Sequence, residues 1–145
     1  MNKYTELNTK QQAEVNALPL HFAFNDKQFK ELLLNMGLTM DNFKDKVYKG
    51  YGGSVYLRTD STLIRDTFDR HYTERTEAIR FDTTGKGYML DMFTYELANH
   101  EYCITYDLTD TLYSLGLTIE EVNANKLMLG ALREAKKIVL SYDNS

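Results

Sequence analysis

The chain has 145 residues, a formal charge of -4, a pI near 5.4 and one cysteine. That length suits one hydrophobic core, Cys103 alone excludes an internal disulfide, and the acidic balance gives no support for a general nucleic-acid binder. No run is long and apolar enough to cross a bilayer and no secretory leader opens the chain, so the expected setting is the reducing cytoplasm.

The single proline, Pro19, and the spacing of apolar residues favour helices over a sheet-dominated fold. Thr9 to Leu18 is expected to form a short helix stopped by Pro19, with residues 1–18 a loosely attached N-terminal helix on a single domain spanning 1–145. Leu20 to Phe24 then reads as an extended apolar segment. Asn25 is a helix cap with Gln28 three residues on, and Phe29, Leu32, Leu33 and Met36 form a core-facing stripe before Gly37 ends the helix.

Gly37-Leu38-Thr39 recurs as Gly116-Leu117-Thr118, within matching stretches 33–43 and 112–122. Glycine permits a left-handed residue after a helix, leucine fills the corner, and threonine caps a following helix that has an acid in its first turn. A DNA-reading helix-turn-helix has the same outline, but Glu120 and Glu121 at the start of the later second helix would face phosphates badly. Between the copies, Tyr48 to Leu57 looks like a glycine turn entering a short strand, without the ending of a Walker loop. Its expected partner is part of Leu20 to Phe24 or residues near Cys103 to Tyr106. The fold class that follows is α+β, mainly helical, with a two- or three-stranded antiparallel sheet.

Asp60 or Ser61 caps a longer helix to about Phe81, with Ile64, Phe68, His71, Arg75 and Ile79 on one stripe and alternating charges on the other flank. Residues 83–87 form a break. A helix from Tyr88 to about His100 buries Met89, Phe93 and Leu97 and carries His100 at its end. The last helix, around Lys126 to Tyr142, turns Met128, Ala131, Leu132, Ala135 and Val139 inward.

Two inward histidines on separate helices are the nearest approach to a chemical constellation. Each can be satisfied by a carbonyl or carboxylate. The sharper expectation is a metal site, zinc in a structural role, held by His71, Glu74, His100 and Cys103, with Glu101 or Asp69 able to replace a member. An open coordination position there would make a small metal-dependent hydrolase. His100 and Cys103 alone do not make a nucleophile and base, because no third group or oxyanion donor can be argued.

From Gly87 to Asn125 there is no lysine or arginine, while Asp91, Glu96, Glu101, Asp107, Asp110, Glu120 and Glu121 interleave with Tyr88, Tyr95, Tyr102, Tyr106 and Tyr113. An exposed face of this kind repels nucleic acid and attracts a basic protein surface. The residues expected to meet such a partner are Asp91, Glu96, Tyr102, Tyr106, Asp107, Asp110, Tyr113, Glu120 and Glu121. No membrane and no direct nucleic acid are expected as partners, and no catalytic residue is assigned.

Four blocks carry a resemblance: Phe22-Ala23-Phe24-Asn25 with Gln28-Phe29, Phe68-Asp69-Arg70-His71, residues 95–102 with Asn99-His100-Glu101-Tyr102 at their end, and Asp110-Thr111-Leu112 leading to Gly116-Leu117-Thr118. Over about residues 20–140 the chain resembles small uncharacterised proteins of phages, plasmids and integrative elements of Gram-positive bacteria. Members tend to carry glycine where this chain has Cys103, whereas His71 and His100 match the pattern. The resemblance implies action inside a bacterial host, where an acidic protein of this size fits an anti-CRISPR inhibitor that covers a basic Cas9 channel. A non-enzymatic accessory or regulatory protein of a mobile element is the other implied role.

Overall fold

A computed structural model describes residues 2–142. It has a mainly helical α+β fold with one small antiparallel sheet. The elements are α1 (Lys3–Asn16), β1 (His21–Phe22), α2 (Asp26–Asn35), β2 (Val47–Lys49), β3 (Ser54–Leu57), α3 (Ser61–Arg80), α4 (Tyr88–Asn99), α5 (Tyr102–Thr105), α6 (Thr109–Leu115), α7 (Ile119–Asn123) and α8 (Lys126–Ser141), with 3-10 turns at 51–53 and 58–60. Two compact units are formed. The sheet unit comprises residues 11–73, and the helical unit comprises 1–10 with 74–145.

In the sheet unit the strand order is β1-β3-β2, with His21 opposite Val55 and Tyr48 opposite Tyr56. The 20–24 segment is therefore the partner of the glycine-turn strand, and residues 102–105 are helical instead. Gly52 and Gly53 adopt φ of 65° and 78°, which glycine reaches without a side-chain penalty, and this lets β2 turn back into β3. Val47 and Val55 pack with Phe29, Leu33 and Leu38 as the buried core of this unit. Asn25 caps α2 by accepting from the Gln28 N–H, and the Gln28 carboxamide oxygen in turn accepts from the Phe24 N–H.

Both Gly-Leu-Thr copies close a helix in the same way. Gly37 and Gly116 are left-handed, and the N–H groups of Leu38 and Leu117 donate to the carbonyls of Leu33 and Leu112. After the corner they diverge. Thr118 and Glu121 form a reciprocal capping box that starts α7, whereas Thr39 is followed only by a turn in which Asn42 accepts from the Thr39 N–H. The Asn42 side chain takes the Thr39 N–H and the Thr39 hydroxyl accepts from the Asp41 N–H, local bonds that hold a turn where the later copy starts a helix.

In the helical unit, α4 and α8 pack together around Phe93, Leu97, Leu132, Ala135 and Val139, all with essentially no exposure. Each large apolar side chain buried there contributes about 1.5–3 kcal/mol. All five residues expected to face inward on the last helix are buried. α1 begins earlier than the sequence pattern suggests, at Lys3, and its Tyr4 is part of this core. The Asp91 carboxylate starts the helix by accepting from the Lys3 N–H at 2.8 Å, and the Asp91 carbonyl accepts from the Asn2 carboxamide.

Asp82 organises the break before α4. Its carboxylate accepts from the backbone N–H groups of Thr84, Gly85, Gly87 and Met89, and so supplies the cap that Gly87 lacks. Partial burial works to raise its pKa. The hydrogen bonds from Met89, Gly85 and Thr84 together outweigh that and hold the group below its ordinary 3.8.

Candidate functional site

His100 closes α4 in the helical unit and is half-buried. Its Nε2 lies 3.1 Å from Glu96 Oε2 and 2.9 Å from Ser114 Oγ, while Glu96 Oε1 accepts from the Tyr4 hydroxyl at 3.1 Å. Glu96 is buried, so its charge is balanced by these donors. Burial raises the Tyr4 phenol pKa, a hydrogen bond with Asn8 opposes this, and the Glu96 charge adds to the rise, so Tyr4 stays a proton donor. Tyr88, edge-on to Tyr4 at 5.9 Å, is pushed up to about 12, mainly by burial.

The Ser114, His100 and Glu96 side chains share the residue types of a nucleophilic triad without its geometry. In such a triad the acid and the serine sit on opposite ring nitrogens, so that one orients the ring while the other gives up a proton. Here both meet the same Nε2, and that nitrogen cannot donate to Glu96 and accept from Ser114 at once. The arrangement fastens α4 to α6. Thr111, which is buried on α6, adds a bond from its hydroxyl to the Glu96 carbonyl.

His71 is 2% exposed on α3 and faces Glu14 of α1 in the sheet unit. Its Nε2 is 3.6 Å from Glu14 Oε2, beyond hydrogen-bond length, and neither this nitrogen nor Glu14 Oε1 has a hydrogen-bond partner among the described residues. Glu14 also pairs with Arg70, and that hydrogen bond is the main reason its carboxyl is held below the ordinary range, with partial burial opposing it. Gln11, buried on the same side of α1, donates to the His71 carbonyl at 3.1 Å.

Within the sheet unit Glu14 and His71 form a group of metal-ligating type, a carboxylate oxygen and a ring nitrogen lying within 4.8 Å of one another. Of the four side chains expected to hold a metal, His71 stands in this group and His100 and Cys103 do not, while Glu74 lies three residues further along α3. His100 is occupied by Glu96 and Ser114, and Cys103 is a half-buried free thiol. Glu14 escaped the sequence reading because α1 has only a weak apolar stripe. The available signal was the spacing of Tyr4, Leu7, Gln11 and Glu14, which places all four along one side of the helix.

The lysine-free segment divides into inner and outer parts. Asp91, Glu96 and Tyr102 serve the fold, as a helix cap, a buried hydrogen-bond centre and a core anchor. Tyr106, Asp107, Asp110, Tyr113, Glu120 and Glu121 are exposed, as are Ile104 and Glu101. On α6, Asp110 and Tyr113 face out while Thr111 and Leu112 are buried. α5 lies between two non-glycine residues in the left-handed region, Glu101 at φ 54° and Tyr106 at φ 55°. Such residues are uncommon and store strain that the surroundings must hold in place. The buried Tyr102 ring provides the hold, with Tyr106 edge-on to it at 5.9 Å. Asp107 accepts from the Thr109 N–H, which lowers its carboxyl pKa and keeps it charged.

No helix among the described residues is long and apolar enough to cross a membrane. No curated protein and no solved structure matches the chain. A family match covers residues 3–138, nearly the whole length, and the chain therefore belongs to DUF7659, a family of unknown function.

Proposed function

We propose that this protein acts without catalysis, by binding a basic protein surface through the exposed acids and rings between Glu101 and Glu121. The observation that carries the reading is the pairing of charge with exposed apolar bulk. Ile104, Tyr106 and Tyr113 are 70%, 67% and 86% exposed in a segment that has no basic residue and several solvated carboxylates. A merely solvated helix surface needs the acids and has no use for the rings. Tyrosines supply contact area at low entropic cost, and the acids speed encounter with a positive partner and set its specificity.

The resemblance to proteins of mobile elements makes Cas9 the first partner to try, because it holds its nucleic acids in positively charged channels. Purified Cas9, with and without guide RNA, is titrated with the wild type and with a variant carrying Asp107→Lys, Asp110→Lys, Glu120→Lys and Glu121→Lys. Loss of binding in the variant supports the acidic surface. Undiminished binding by the variant rejects that surface, and no binding by either protein rejects Cas9 as the partner.

A structural metal at His71 is a second reading, favoured by His71 Nε2 and Glu14 Oε1, two neighbouring buried atoms that make no hydrogen bond with any described residue. Zinc in purified protein at one per chain, lost in His71→Ala and retained in His100→Ala, is the result this reading requires. It is rejected by metal-free wild type.

A further inference from the structure

The sheet of the sheet unit has two unlike faces. Val47 and Val55 point into the core with α2, and alternation along β3 turns Ser54 and Tyr56 to the other side. That second side forms one wall of a cleft of about 540 Å³ whose opposite wall is the first half of α3. Phe22, Tyr51, Tyr56 and Phe68 supply four aromatic rings, Ile64 supplies a buried apolar wall, and Arg65 is, among the described residues, the only charged one lining the space.

Three features distinguish this cleft from a gap in the packing. Phe22, Tyr51 and Phe68 are 53%, 100% and 43% exposed, although the spacing on α3 places Phe68 on the inward stripe with Ile64 and His71. Rings left uncovered beside a concave wall favour an apolar occupant. Arg65 makes no hydrogen bond, ion pair or ring contact with any described residue, even though Asp66 and Asp69 lie on the same helix. Finally, the volume falls within the range of small-molecule pockets, which are typically apolar with a few polar groups that fix orientation.

We propose that this cleft binds a small, flat aromatic carboxylic acid, its ring among Phe22, Tyr56 and Phe68 and its carboxylate on the Arg65 guanidinium. The planar guanidinium fork matches a carboxylate in a two-point hydrogen bond, which an alcohol of the same shape cannot form. The aromatic walls favour a ring over a flexible chain, because stacked and edge-on contacts are made without ordering additional rotatable bonds.

The probes are 2-naphthoate and its neutral analogue 2-naphthalenemethanol, titrated by isothermal calorimetry and by amide-shift mapping of isotopically labelled protein. The acid should bind roughly tenfold or more tightly than the alcohol, as expected for a charge-assisted bond. Its shifts should gather at residues 54–56 and 61–68. Arg65→Gln should remove that advantage and leave the alcohol unchanged. Because Arg65 is exposed and makes no hydrogen bond, ion pair or ring contact with any described residue, the variant should keep the wild-type circular dichroism spectrum. The proposal is overturned by any of three results: no saturable binding of the acid, equal affinity for acid and alcohol, or shifts that map away from the cleft.

Discussion

The two units distribute charge and apolar surface in opposite ways. The sheet unit has eight basic and eight acidic residues, while the helical unit has nine basic and thirteen acidic, so the entire net charge of the chain resides in the latter. In the helical unit Tyr106 and Tyr113 are exposed rings that stand among carboxylates, while the exposed Phe81 ring lies under the Arg80 guanidinium. In the sheet unit Phe22, Tyr51 and Phe68 surround a concave wall whose single charge is a cation. Exposed aromatics therefore carry different meanings in the two places: among solvated acids they suit a broad basic surface, and around a cleft with one guanidinium they suit a small anion.

This contrast can be broken most forcefully at the helical core. Phe93→Ala removes a ring with no exposure and is expected to cost about 3–5 kcal/mol, read as a lowered denaturant midpoint. A loss under about 1 kcal/mol would mean that α4 does not anchor the unit. Glu96→Ala leaves the Tyr4 hydroxyl without its buried acceptor and is expected to cost roughly 1–3 kcal/mol. Tyr4→Phe together with Glu96→Leu should recover part of that loss, because the buried hydroxyl is gone and His100 keeps Ser114 as a partner.

Asp82 gives a pH-dependent effect of about 1–2 kcal/mol, the size of a strong helix cap. Its folded pKa is depressed, so the stabilisation is complete above the ordinary 3.8 and is lost as pH falls through the folded value. Asp82→Asn should therefore flatten the acid limb of the stability curve and leave the neutral-to-alkaline limb parallel to wild type. An unchanged acid limb would remove Asp82 as its source. The smallest effect is at Glu101, where glycine relieves the left-handed strain and should raise stability by about 0.5–1 kcal/mol. A loss of stability in Glu101→Gly would show that the side chain does structural work.

The legible parts of the fold were those with a strong local pattern. Asn25, Phe29, Leu33 and Gly37 mark α2 unaided, and the five inward residues of α8 repeat at helical spacing, so burial follows periodicity. The sequence pattern starts α1 at Thr9, six residues after its true start at Lys3, because the first turn is polar and is anchored by Asp91, nearly ninety residues away in sequence, a contact that no local pattern announces. α5 was legible only as a candidate strand. Four residues between two left-handed ones have no propensity of their own, and the anchoring of Tyr102 decides their conformation. Phe68 illustrates the limit for sites. The stripe on α3 predicts it buried, but the cleft leaves the ring uncovered, and Thr67 is buried in its neighbourhood instead.

The most direct test of binding through the acidic segment is calorimetric titration of Cas9 at about 50 and 300 mM salt, ionic strengths between which the Debye length shortens by more than half. Wild-type affinity should fall steeply with salt, and the four-lysine variant should bind weakly at both concentrations. Equal affinity at both salt concentrations, with the variant indistinguishable from wild type, would contradict binding through that segment.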